Sequence, residues 1–279
     1  LPHQKKAITE SLKRFKKETR GKLIHACGTG KTLTSYYLYQ EMKPGLTLFL
    51  VPSLQLINQT LTEWCLESLA NKKPISPFIV CSDETNERVP ENDPNLWLQE
   101  LGIKVSTKAA DIKAFVDSKR PRKVIFSTYK SSPELGKALK KLKITPDFAF
   151  FDEAHNTVNK ETNGYLLLDK NLPIKKRLFM TATPRTVIGH YDKYVSMDDE
   201  LIYGDVFDEI TVKDAIEELG MLNDYKIITQ LIDNTYVESL LKENPFVYDK
   251  KKLPKETELK MIASALTLEK TIKRNKVKN

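Results

Sequence analysis

His25–Thr32 reads HACGTGKT, between the apolar run that begins at Lys22 and a helix-like run from Lys31 to Met42. Glycines at positions 28 and 30 let a backbone wrap a phosphate and aim its N–H groups inward, and the amino end of a helix favours the anion. In that reading Gly28, Thr29 and Gly30 form the cradle. Lys31 bridges the terminal phosphates, and Thr32 offers its hydroxyl to a magnesium ion. The competing reading is a glycine-bearing turn with no ligand. The full phosphate-loop pattern has a further glycine six residues before the lysine, where this chain has His25. With glycine at about 7% of residues, a core of G-x-G-K followed by Ser or Thr, intact here, arises by chance in a chain of this length roughly one time in a hundred.

A second stretch, FFDEAH (Phe150–His155), favours the cradle. Asp152 and Glu153 are adjacent carboxylates at the end of an apolar strand, where they repel each other unless a divalent cation lies near. Asp152 is the candidate magnesium ligand, and Glu153 the candidate general base that polarises an attacking water. Acids favoured at the amino end of a helix would explain the four residues taken alone. That explanation weakens when they lie downstream of a phosphate loop and at a strand end. The third stretch, FMTATP (Phe179–Pro184), sets Thr181 and Thr183 on either side of Ala182. Their hydroxyls suit hydrogen bonds to the acids and to His155. Alone, the stretch would be a strand end stopped by proline.

Around these stretches short apolar runs alternate with amphipathic ones. Strands are expected at KLIHA, LTLFLV, PFIV, RKVIFS, DFAFFD and RLFM, with helices at Lys31–Met42, Ser53–Ala70 and in ELGKALKKL. The strands are near-continuously apolar, as in a parallel sheet covered on both faces by helices. The predicted class is α/β. SDETNERVPENDPN (Ser82–Asn95) reads as a surface loop, and NTVNKETNGY (Asn156–Tyr165) as a loop bordering the carboxyl ends of the strands. A composition shift near Gly204 divides the chain into 1–204 and 205–279. In the second part VKDAIEELGML reads as a short helix, DYKIITQLID as a strand, and KETELKMIASALTLEKTIKR as a long basic helix.

Composition excludes several classes. Of 279 residues, 40% are hydrophobic and 29% charged, which describes an ordinary globular chain. No apolar run has the length of a membrane span, and the amino end carries no secretory signal. It also lacks an initiating Met, which raises the expectation of a portion of a longer chain. Cys27, Cys65 and Cys81 are odd in number and widely spaced, which argues against a disulfide framework or a zinc site and for a reducing compartment such as the cytoplasm. The net charge is +8, and residues 240–279 hold +6 of it, from eleven Lys or Arg against five Asp or Glu. This suits attraction to polyanions, and equally a solvated helix surface.

In this order HACGTGKT, DEAH and TATP resemble motifs I, II and III of superfamily-two helicases and translocases. LPHQKKAI resembles the segment in which those proteins keep an adenine-reading glutamine, here Gln4. VPSLQLINQ is similar to motif Ia and STYKS to motif Ib, which implies that Pro52, Ser53, Thr128 and Tyr129 meet the nucleic-acid backbone. The resemblance spans about the first two hundred residues. It implies a RecA-like P-loop domain, with ATP and Mg2+ as cofactors, nucleic acid as partner, and His155, Thr181 and Thr183 coupling hydrolysis to movement. The passage from MDDELIYGD onward is similar to the connection between the two motor domains of restriction-enzyme-like helicases, so 205–279 would be that connection and the incomplete start of the second domain. Motifs IV to VI are absent from the sequence. After Arg185 the only arginine is Arg274, so an arginine finger must come from elsewhere. The resemblance thus implies the amino-terminal half of an ATP-dependent motor, with DNA favoured over RNA. An RNA helicase, or a nucleotide-gated binding module of a larger complex without strand separation, is the alternative.

Overall fold

A computed structural model describes residues 1–81 and 103–225, and scattered helical positions between 261 and 272. Leu1–Asn223 form one compact unit and Asp224–Asn279 another. In the first unit, α1 (Pro2–Arg14) leads to β1 (Arg20–His25), α2 (Lys31–Met42), β2 (Leu46–Val51), α3 (Leu54–Ala70) and β3 (Ser76–Val80). After the undescribed segment come α4 (Ala109–Asp117), β4 (Lys123–Thr128), α5 (Ser132–Leu142) and β5 (Phe148–Phe151). Two 3-10 turns, Ala154–Thr157 and Gly164–Leu167, precede β6 (Lys176–Thr181), α6 (Glu200–Tyr203), β7 (Asp205–Ile210) and α7 (Val212–Glu217).

The strands form one sheet in the order β3-β4-β2-β5-β6-β1-β7, and every pairing is parallel. Side chains alternate between the two faces of each strand, and both faces are apolar. Leu46, Leu48 and Leu50 of β2 pack with Ile112 and Phe115 of α4 and Leu135 and Leu139 of α5. Phe49 and Val51 pack in a separate core with Ala7 of α1, Tyr36 and Tyr39 of α2, and Ile57, Leu61 and Trp64 of α3. The expected α/β, RecA-like architecture is therefore present. The six strands read before Gly204 all form, as do the helices at Lys31–Met42 and over most of Ser53–Ala70.

The domain boundary drawn at Gly204 falls inside this unit. Asp205–Ile210 becomes the seventh strand, parallel to β1, with Gly21 opposite Asp205 and His25 opposite Ile210. Its mixture of exposed and buried residues, with Phe207 and Asp208 buried in succession where the register against β1 shifts, befits an edge strand. This gave a weaker signal than the apolar runs of the central strands. The short helix expected after it is α7. The loop read at Ser82–Asn95, and nearly all of the strand read in DYKIITQLID, lie outside the described residues. Among the described residues, no helix is long and apolar enough to cross a membrane.

At the amino-terminal edge of the sheet, Arg20 of β1 and Arg177 of β6 are directly opposed, and both reach the Asp169 carboxylate. Arg20 also donates to the carbonyls of Leu167 and Ile202, and Arg177 to those of Leu172 and Ile174. Burial, with the neighbouring Arg20, lowers the Arg177 guanidinium to about 10, and Asp169 offsets part of this.

Trp64 is fully buried and centres the second core, with ring contacts to Tyr36, Tyr39, Phe49, Phe126 and Phe150. Its indole N–H donates to the carbonyl of Thr32 at 3.2 Å. Trp64→Ala is expected to destabilise the unit by about 3–5 kcal/mol, the usual range for removing a buried aromatic side chain. Denaturant unfolding checks this. A loss below about 1 kcal/mol would show that Trp64 does not centre this core.

Candidate functional site

In a sheet with all strands parallel, the carboxyl ends lie along one edge, where open α/β sheets place their ligands. HACGTGKT follows β1, TATP follows β6 and DEAH follows β5, and these three strands are neighbours. The motif Ia segment follows β2 and the motif Ib segment follows β4, the next pair along the sheet.

The loop after β1 enters α2 with Gly28 at φ 85° and Gly30 at φ 82°. These left-handed conformations strain any residue with a Cβ. A Cβ on Gly30 would also lie 2.6 Å from the Gln4 amide nitrogen. Lys31 is the first helical residue, and its ammonium donates to the carbonyl of His25 at 2.9 Å, across the loop. Thr29 is buried, and its hydroxyl donates back to the Ala26 carbonyl at 2.8 Å. Thr32 is half-buried at the first turn of α2. Gln4, on α1, donates to the Gly30 carbonyl at 3.2 Å, and neighbouring His3 has Nε2 3.0 Å from the Thr29 carbonyl. The segment expected to read adenine is thus packed against the phosphate loop. His3 was not singled out from the sequence.

Asp152 follows β5 and is 8% exposed. Its carboxyl is pushed up to about 6, first by burial and then by the adjacent Glu153; the Glu153 N–H and the Lys31 charge oppose this. Glu153 occupies the left-handed region at φ 49°, ψ 47°, which is strained for a residue with a long side chain. Its carboxylate lies 3.3 Å from Nδ1 of His155. The same ring nitrogen lies 2.9 Å from the Thr181 hydroxyl and 3.5 Å from that of Thr183. The two threonines therefore meet His155, as the sequence suggested, and His155 joins them to Glu153. Burial lowers the His155 pKa, Glu153 opposes that, and Arg185 adds to it.

The expected nucleic-acid contacts divide. Ser53 is exposed and caps α3 by accepting from the Leu56 N–H, and Pro52 before it is half-buried. Thr128 is 6% exposed, and its hydroxyl bonds to that of Ser131 at 3.1 Å. Tyr129 is 1% exposed, and its hydroxyl donates to the Asp152 carbonyl at 2.6 Å. The Tyr129 side chain faces the core and is not on the surface where a nucleic acid would meet it. A lone Tyr in STYKS carries no signal of this inward tie, which depends on β4 and β5 flanking β2.

A family model described as Type III restriction enzyme, res subunit, matches residues 1–186. The chain belongs to this family. It is a superfamily-two, restriction-enzyme-like chain, and the sheet is that of a first RecA-like domain. It is 27% identical over 226 residues to a probable helicase, A859L, of African swine fever virus, covering 81% of this chain and 23% of that protein. The same protein of another isolate is 26% identical over the same length. Two solved structures are also similar. One is a nuclease-deletion mutant of the Type ISP restriction-modification enzyme LlaGI in complex with a DNA substrate mimic, with TM-score 0.64, 30% identity, 80% of this chain and 18% of that one. The other is the ATP-dependent Type ISP restriction-modification enzyme LlaBIII bound to DNA, with TM-score 0.65, 30% identity, 87% of this chain and 17% of that one. The chain thus spans about a quarter or less of the length of these relatives.

The environment of Asp152 makes folding depend on pH. With a folded pKa of about 6 against 3.8 unfolded, the native state binds a proton that the unfolded chain does not between those values. The contribution of this group is therefore fully favourable below pH 3.8 and is lost as pH rises through 6. Asp152→Asn removes the charge and should stabilise the protein at pH 8 by up to about 3 kcal/mol, the equivalent of the shift. That gain should vanish by pH 4. Urea unfolding in EDTA at both pH values checks this, and a gain independent of pH would contradict it.

Proposed function

We propose that this chain is the first motor domain of an ATP-dependent translocase that acts on DNA. The observation that carries the reading is the convergence at one sheet edge. Lys31 acts on the Asp152 charge, and Glu153 reaches His155, which lies between Thr181 and Thr183. ATP would lie over the loop, its phosphates on the N–H groups of Gly28–Thr32 and the Lys31 ammonium, with Gln4 near the base. Thr32 and Asp152 fit a magnesium ion, since the Lys31 charge offsets only part of the cost of a nearly buried carboxylate beside a second acid. When bound, that ion supplies positive charge against the phosphate oxygens. Glu153 orients and deprotonates the attacking water, and His155 relays its position to Thr181 and Thr183 at the end of β6.

DNA is favoured because LlaGI and LlaBIII, both similar to this chain, are described in complex with DNA or a DNA mimic. The loops after β2 and β4 would track the phosphate backbone through Pro52, Ser53 and the main chain at Thr128. A second motor domain would supply motifs IV to VI, beginning with residues after Asn223. An arginine finger is worth about 10³–10⁵ in rate, so residues 1–279 alone should bind ATP and turn it over negligibly, with or without DNA.

Lys31→Ala should weaken ATP binding by about tenfold or more, through loss of the phosphate counter-charge. Equal affinity in titrations of the variant and the parent would remove the phosphate-loop assignment. In the longer protein with both motor domains, Glu153→Gln should retain ATP and lose about 10²–10⁴ in turnover. Normal turnover would show that Glu153 is not the base.

A further inference from the structure

His25 stands where the phosphate-loop pattern has glycine, and it is fully buried. Its Nε2 lies 2.9 Å from Oδ2 of Asp208, itself 5% exposed. Oδ1 of Asp208 takes the Lys6 ammonium from α1 at 2.9 Å. Nδ1 of His25 is buried and meets no partner, so Nε2 is the nitrogen that donates to the carboxylate. A buried carboxylate in an edge strand is costly unless paired. Burial pushes the Asp208 carboxyl up, but hydrogen bonds from His25 and Lys6 outweigh this and hold it below the usual range.

The main chain of His25 belongs to the loop, because its carbonyl accepts the Lys31 ammonium. The next residue, Ala26, donates its N–H to the carbonyl of Ile210, two residues beyond Asp208. Ala26 also packs with Ile210, Ala215, Leu219 and Leu222, and a Cβ on Gly28 would lie 3.0 Å from Leu222. Residues 205–222 therefore wall the outer side of the phosphate loop, and they lie beyond the 1–186 span of the family match.

We propose that Asp208 is a positioning residue for the phosphate loop: through His25 it fixes the main-chain segment on which Lys31 and the cradle N–H groups depend. The proposal rests on the nucleotide-binding reading for its consequence, but the positioning itself can be measured without nucleotide. A neighbouring ion pair supplies the control. Asp205 of β7 pairs with Arg14 of α1 at 2.8 Å, linking the same two elements without touching the loop. A residue that merely docks β7 would behave like Asp205.

Two measurements on residues 1–279 test this. Hydrogen exchange of the peptide spanning 23–33, without nucleotide, should be about fivefold or more faster in Asp208→Asn and unchanged in Asp205→Asn. Titration with ATP and magnesium should show about tenfold or greater weakening in Asp208→Asn and less than twofold in Asp205→Asn. His25→Leu removes the donor, leaves Lys6 on Asp208 and should reproduce both effects, which carries the test if Asp208→Asn does not fold. The double variant should be no weaker than either single one. Loop exchange and ATP affinity unchanged in Asp208→Asn or His25→Leu, or altered equally by Asp205→Asn, would overturn the proposal. A parent chain that binds no ATP would count against the proposed function, while the exchange result would still decide the role of Asp208.

Discussion

The parallel pairing of β1 with β6 is the constraint on which the site depends. These strands are more than 150 positions apart in sequence, yet Ile24 lies opposite Thr181. At their amino ends Arg20 and Arg177 share Asp169, so the register is tied at that edge. At their carboxyl ends the pairing brings the phosphate loop beside the threonines that hold His155. Because a slip of one residue turns every side chain of a strand to the opposite face, two apolar cores enforce the same register along the sheet.

Around that pairing, the site uses groups that a fold would otherwise avoid. Asp152 is nearly buried and titrates near 6, and Glu153 sits in a left-handed backbone conformation. Such departures concentrate where function over-determines the structure. Tyr129 donates to the Asp152 carbonyl from the segment after β4, and Trp64 donates to the Thr32 carbonyl from α3. Asp152 and Thr32 are thus held through main-chain atoms by large buried side chains, which restrict them without contributing charge to the site.

The outer wall of the phosphate loop is built differently. α1 holds the carbonyls of Thr29 and Gly30 through His3 and Gln4, while β7 holds His25 and Ala26. Lys6 and Asp208 join α1 to β7. The loop is gripped at both ends by elements at the two extremes of the first unit, and β7 continues through α7 into the chain beyond Asn223.

By itself the sequence determined the class of fold and singled out the polar residues that gather at the carboxyl ends of β1, β5 and β6. Near-continuous apolar runs specify strands buried on both faces, and HACGTGKT, DEAH and TATP are each legible as local patterns, because each depends on neighbours within a few residues. The edge strand Asp205–Ile210 was not legible, since its mixed, acid-bearing pattern becomes a strand only against β1. The inward turn of Tyr129 and the burial of His25 on Asp208 were not legible either. Both are contacts between segments distant in sequence, made favourable by desolvation and pairing that exist only once the sheet has assembled. Only the tertiary structure could decide which polar residues face the ligand edge and which hold that edge in place.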